Sequence, residues 1–169
     1  MNLQENIYRI KSLLQLSEDT PTNTDTIPPT NQSILDNVVK QIGVQYKWGG
    51  ENPSTGFDCS GLISYVTGLP RTTANGYLKS IQKIQNTKDL KPGDLIFFGS
   101  GIAKHVGIIK DLDENGVVKT MIHARGRQSC PGNKTTLKNG QPDCVVQETP
   151  NINWYGNILG YGRVPQAIV

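Results

Sequence analysis

The stretch GFDCSGLISYV, residues 56–66, sets a cysteine between an acid and a serine, with a glycine two positions on and an apolar run behind it. Asp58 is a favoured N-cap residue, so the spacing predicts a helix opening there with Cys59 in its first turn. A thiol so placed faces the positive helix end. Together with a nearby cation, that placement brings a cysteine pKa from ~8.5 down to between ~3.5 and ~7.5. Gly61 is a poor helix former and predicts a close approach by another segment. On these residues alone Cys59 reads as a buried core thiol, a metal ligand or a nucleophile.

The chain has two histidines, His105 and His123, near the mouths of the strand-like runs HVGIIKD and VVKTMIHA. Between the runs lies Glu114-Asn115-Gly116, a hairpin signal. A two-residue loop at Asn115-Gly116 would set His105 opposite Gly126 and His123 opposite Ile108, turning the imidazoles to opposite faces. A three-residue loop with Gly116 left-handed sets His123 opposite Gly107, Met121 opposite Ile109 and Lys119 opposite Asp111. The histidines then become diagonal neighbours on one face. We take the second register, because its pairs are chemically sensible and Gly107 leaves room beside His123. Converging imidazoles favour a nucleophilic set: Cys59 attacks a carbonyl, His105 carries its proton to the leaving amine, and His123 orients His105. The competing set makes Cys59, His105 and His123 three zinc ligands with an open fourth position, but no CxxC or HExxH pair supports it.

The 169 residues suit one domain with a short appendage, and 36% hydrophobic against 18% charged residues predicts a soluble globular chain. The 17 Lys and Arg are scattered, so a net charge of +3 does not indicate a nucleic-acid surface. Leu3, Ile7, Ile10 and Leu14 predict an amphipathic helix over residues 1–16, which must dock on the domain or on a partner chain. Residues 17–32, SEDTPTNTDTIPPTNQ, read as a linker. The start lacks a signal-peptide pattern, and no apolar run is long enough to span a bilayer. The domain, 33–169, opens with Ser33 capping a helix that presents Ile34, Val38 and Ile42. YLKSIQKIQ predicts a short helix, LIFF and ILGYGRV predict strands, and residues 128–150 read as loop-rich. Of the three cysteines, Cys130 and Cys144 can form one disulfide and leave Cys59 free.

In order along the chain, YKWGG, FDCSGLISYV, LPRTTANG, LKPGDLIFF, HVGII and MIHARG resemble the blocks of the NlpC/P60 family of papain-like cell-wall cysteine peptidases, from about Ser33 to Pro165. The resemblance implies an α+β papain-like fold, a central antiparallel sheet with the nucleophile at a helix N-terminus packed against it. It implies nucleophile Cys59, base His105 and third polar residue His123, with no cofactor or metal. Tyr46, Asp58, Ser60 and Arg71 fall at positions that contact substrate, although each reads equally well as structural on its own. The implied reaction is hydrolysis of the D-γ-glutamyl to diamino-acid bond in peptidoglycan stem peptides. A related amidase, or a wall-binding or virion component with little activity, are the alternatives. Delivery without a signal peptide suits a bacteriophage tail or another assembly, whose subunit would take up residues 1–16.

Overall fold

The computed structural model describes residues 28–127, 130, 135–136, 142–150, 152 and 156–166. The expected helix over 1–16, most of the linker and much of the loop after residue 127 lie outside the described residues.

The first helix, α1 (Asn31–Val39), starts ahead of the expected Ser33 cap. Thr30 caps it instead, its hydroxyl accepting from the Ser33 amide at 3.1 Å. The local signals at Thr30 and Ser33 are equivalent, and distant contacts decide between them. Asn31 Nδ2 donates to the Pro92 carbonyl at 2.8 Å, and the Asn31 amide donates to Gln166 Oε1 at 2.8 Å. These bonds add three residues, nearly a full turn, to the start of the helix. Ile34 and Val38 are buried as expected, whereas Ile42 lies past the helix end and is 43% exposed.

A two-stranded ribbon, β1 (Glu51–Asn52) with β2 (Gly56–Phe57), leads into α2 (Cys59–Thr67). Asp58 is the N-cap, and Gly68, left-handed at φ 71°, ends the helix. The YLKSIQKIQ segment divides instead of forming one helix. Thr73 caps α3 (Ala74–Ser80), and β3 (Gln82–Ile84) follows. The local periodicity gives way here because Gln82, Lys83 and Ile84 pair with residues 161–163, some 80 positions on.

The remaining strands are β4 (Leu95–Ser100), β5 (Ile102–Leu112), β6 (Val118–Arg125), β7 (Thr135–Thr136), β8 (Pro142–Asp143), β9 (Val145–Pro150) and β10 (Ile158–Arg163). The six-stranded central sheet runs β3-β10-β4-β5-β6-β9, antiparallel throughout. The loop-rich reading of 128–150 therefore misses β9, whose full length pairs with Thr120–Arg125 of β6.

The hairpin register is the three-residue one. Ile109 faces Met121 and Ile108 faces Ile122, and Asp113 and Val117 close the loop around left-handed Gly116 (φ 78°). Lys119 does not face Asp111, however. A bulge slides Thr120 into that place, where its hydroxyl donates to Asp111 Oδ2 at 2.7 Å.

Strand alternation splits the core by face. Leu95, Phe97, Val106, Ile108, Ile122 and Ala124 pack under the helices with Ile34, Leu62 and Ile63. On the other face Ile96, Phe98, Ile109 and Met121 pack with Leu90 and Ile152. The fold is the expected α+β one, with the Cys59 helix laid on an antiparallel sheet.

Candidate active site

Cys59 begins α2, and its position is fixed by a network around Asp58. One carboxylate oxygen accepts from the Gly61 amide at 2.7 Å and the Ser60 hydroxyl at 3.1 Å. The other accepts from the Gly49 amide at 3.0 Å and an Arg71 guanidinium nitrogen at 2.7 Å. Arg71 also donates to the Ser60 hydroxyl at 2.8 Å and lies 3.5 Å from Glu51. Burial works to raise the Asp58 carboxyl, but the Arg71 hydrogen bond, the Gly61 amide and the Arg71 charge hold it below the ordinary carboxylate range. The close approach expected at Gly61 is present: a Cβ there would lie 1.9 Å from the Gly50 carbonyl oxygen.

The thiol keeps part of its surface open to the cleft. Its expected acidification is not found. Burial pushes the Cys59 thiol up to about 11, and the neighbouring Asp58 carboxylate adds to the rise. Hydrogen bonds from the Val106 and Ser60 backbones and the Arg71 charge act in the opposite direction without prevailing. Helix position alone misjudged this balance, because the capping carboxylate that orders the helix end also places a negative charge beside the sulfur.

Opposite stand the histidines. Register and the small Gly107 bring their rings to 4.9 Å between centroids, edge to face, with His105 Nε2 and His123 Nδ1 2.8 Å apart. His123 Nε2 lies 2.9 Å from Thr149 Oγ1 on β9. Both imidazoles are buried. Burial, then the His123 neighbour, holds His105 well below 6.5; burial, then the Arg125 charge, brings His123 down to about 3. At neutral pH the site therefore holds a protonated thiol and two neutral imidazoles.

Cys59 and His105 line one open cleft of about 720 Å³, together with Tyr46, Trp48, Asp58, Ser60 and Arg71. Every site residue anticipated from the sequence thus reaches the same place, except that His123 lies behind His105 and off the lining. Asp58, Ser60 and Arg71 spend most of their polar atoms on one another. Tyr46 is buried, its ring lying on Gly126, where a Cβ would come within 2.2 Å of Cγ. Trp48 stands at the rim, 63% exposed. Cys130 and Cys144 are joined, with Cα atoms 5.7 Å apart, and the Cys144 carbonyl accepts from the Tyr46 amide at 2.7 Å.

The sequence reading missed Thr149, which lies in a segment read as loop and bears no local mark of its contact with His123. Among the described residues, no group of three or more His, Cys, Asp or Glu is arranged to hold a metal ion. His105 Nε2 and His123 Nδ1 are turned on each other at hydrogen-bonding distance.

Murein DD-endopeptidase MepH of Escherichia coli (strain K12) is 43% identical over 84 residues, covering 44% of this chain and 31% of the relative. The bifunctional muramidase/DL-endopeptidase CwlT of Bacillus subtilis (strain 168) is 42% identical over 89 residues, covering 46% of this chain and 26% of the relative. The chain therefore matches less than a third of the length of either. The crystal structure of the NlpC/p60 domain of peptidoglycan hydrolase SagA superposes with a TM-score of 0.57 at 27% identity, covering 80% of this chain and 99% of that domain. Residues 43–147, which carry the thiol and both histidines, match the model of the NlpC/P60 family, and the chain belongs to that family.

Proposed function

We propose that the chain is a peptidoglycan endopeptidase that works by acyl transfer through Cys59. The observation that carries this reading is the shared cleft: the thiol and His105 line it together, and His123 holds His105 from behind at 2.8 Å.

His105 Nε2 is engaged with His123, so Nδ1 is the nitrogen that serves the thiol. With thiol and imidazole both neutral at rest, proton transfer accompanies attack: Sγ bonds to the scissile carbonyl carbon as its proton moves to His105 Nδ1. That proton then passes to the leaving amine as the C–N bond breaks, leaving a thioester. Water attacks the thioester carbonyl, His105 takes a proton from the water, and the thiol is restored with release of the acid. The Asp58–Arg71 network keeps the helix end and the sulfur in register throughout.

The bond we assign is the D-γ-glutamyl to diamino-acid one, in keeping with the DL-endopeptidase named among the relatives. The DD-endopeptidase named beside it would cut elsewhere in the stem. Mass spectrometry of fragments released from purified sacculi separates these bonds, and separates both from an amidase product cut between sugar and peptide. We expect fragments ending in γ-linked glutamate, with release abolished by thiol alkylation and unchanged by chelators. Release that survives alkylation and stops with a chelator would overturn the reading.

The same proposal takes residues 1–16 as the delivery segment, docking on a phage tail or another assembly subunit. It is supported by their apolar spacing at Leu3, Ile7, Ile10 and Leu14. Co-purification of the full chain with such a subunit, lost when these four leucine and isoleucine residues become serine, is the expected result; equal recovery of the subunit with the serine variant would contradict it.

A further inference from the structure

We propose that Thr149 is a positioning residue whose hydroxyl accepts the His123 hydrogen, the arrangement in which His105 is competent as a base. This inference rests on the cysteine-peptidase reading above.

Three side chains, His105, His123 and Thr149, stand in one line of hydrogen-bonding contacts. His105 Nε2 and His123 Nδ1 are 2.8 Å apart, so one hydrogen lies between them. His123 Nε2 and Thr149 Oγ1 are 2.9 Å apart, so one hydrogen lies there also. A neutral imidazole carries a single N–H, and its other nitrogen only accepts. Only two arrangements satisfy both contacts. In the first, His105 carries its hydrogen on Nε2 and gives it to His123 Nδ1; His123 carries its own on Nε2 and gives it to Thr149. His105 Nδ1 then offers a lone pair to the thiol. In the second every hydrogen is reversed: Thr149 donates to His123 Nε2, His123 Nδ1 donates to His105 Nε2, and the His105 hydrogen sits on Nδ1. That nitrogen cannot take a proton from the sulfur.

The working arrangement therefore needs a hydrogen-bond acceptor at the far end, where Thr149 Oγ1 stands. An oxygen with two lone pairs can receive the His123 hydrogen, and the working arrangement requires that it does. Thr149 is suited to hold this position. It is 6% exposed, it sits on β9 diagonal to His123, and its branched side chain is stiff about χ1. When His105 becomes an imidazolium during the reaction, it meets a lone pair on His123 instead of a second hydrogen.

The test compares Thr149→Val, which keeps the volume and removes the acceptor, with Thr149→Ser, which keeps the acceptor. We expect Val to lower kcat roughly 10- to 100-fold with KM within about twofold, as for other side chains that orient a working imidazole, and Ser to restore most of the loss. Imidazole ¹⁵N shifts of the wild-type protein should show both rings protonated at Nε2. The rate at which iodoacetamide alkylates Cys59 should fall in the Val variant alone. Wild-type His123 protonated at Nδ1, or a Ser variant as slow as Val, would overturn the assignment. The NMR and alkylation arms need no wall substrate, so they decide the role of Thr149 even where wild-type protein releases no wall fragment, a result that would instead refute the proposed function.

Discussion

The two walls of the cleft are built on opposite principles. The thiol wall is local and charged: Asp58, Cys59, Ser60 and Gly61 are consecutive, and Asp58 gathers the Gly49 and Gly61 amides, the Ser60 hydroxyl and the Arg71 guanidinium around one carboxylate. The imidazole wall is assembled from three strands and is uncharged, its rings buried and held in the neutral state. A thiol wall held by ionic ties and an imidazole wall held by burial should therefore fail in different ways.

The largest effect belongs to the proposed reacting pair. His105→Ala should reduce fragment release by on the order of 10³-fold or more while leaving the fold intact, since base and nucleophile act as a unit. Circular dichroism and release kinetics on the same preparation check this; loss of fold together with activity would mean that the imidazole wall is structural first.

Acid should breach the imidazole wall before the thiol wall. Folded His123 titrates near 3 against an ordinary 6.5, so above pH 6.5 its contribution to stability is complete. Below that the unfolded chain binds a proton that the folded one refuses. Stability is then lost as pH falls from about 6.5 towards 3, by up to a few kcal/mol. The lowered Asp58 carboxyl acts in a more acidic window, its contribution being lost only as pH falls below the ordinary 3.8. Denaturant midpoints measured between pH 7 and 4 should fall in the wild type and fall less steeply in His123→Asn, which keeps the buried His105. An unchanged slope in that variant would assign the acid arm elsewhere.

Breaking the thiol wall should cost about 3 kcal/mol at neutral pH. Asp58→Ala removes an N-cap, worth ~1 kcal/mol, and leaves the Arg71 guanidinium without its carboxylate. Urea unfolding at pH 7 reads the change, and a shift under ~1 kcal/mol would show that the network contributes position and little stability. The smallest effect lies away from both walls. Lys110 and Glu148 form an exposed pair at 2.6 Å between β5 and β9, and Lys110→Ala should leave the unfolding midpoint and activity unaltered within error.

The contrast between the walls also marks what could be read from the chain. The thiol wall was legible because its determinants are adjacent: an acid before the helix, a glycine one turn in. The hairpin register was legible because a three-residue turn with left-handed Gly116 fixes which residues face each other. What escaped is non-local. Thr149 meets His123 only because β9 pairs with β6, and the VVQETP run carries too little alternation to announce a strand. Arg71 was anticipated in the cleft, but its bond to Asp58 spans 13 positions of chain and a helix. The thiol's rise to about 11 is a sum over burial and an acid neighbour, and no motif encodes that sum.

The proposed reaction turns on a covalent step at Cys59. Intact-protein mass spectrometry of the enzyme quenched during turnover of a stem-peptide substrate tests it most directly. A mass increase equal to the acyl half of the substrate, mapped to Cys59 and absent from Cys59→Ser, is the predicted result. Continued substrate cleavage with no adduct in the wild type, and undiminished cleavage by Cys59→Ser, would contradict it.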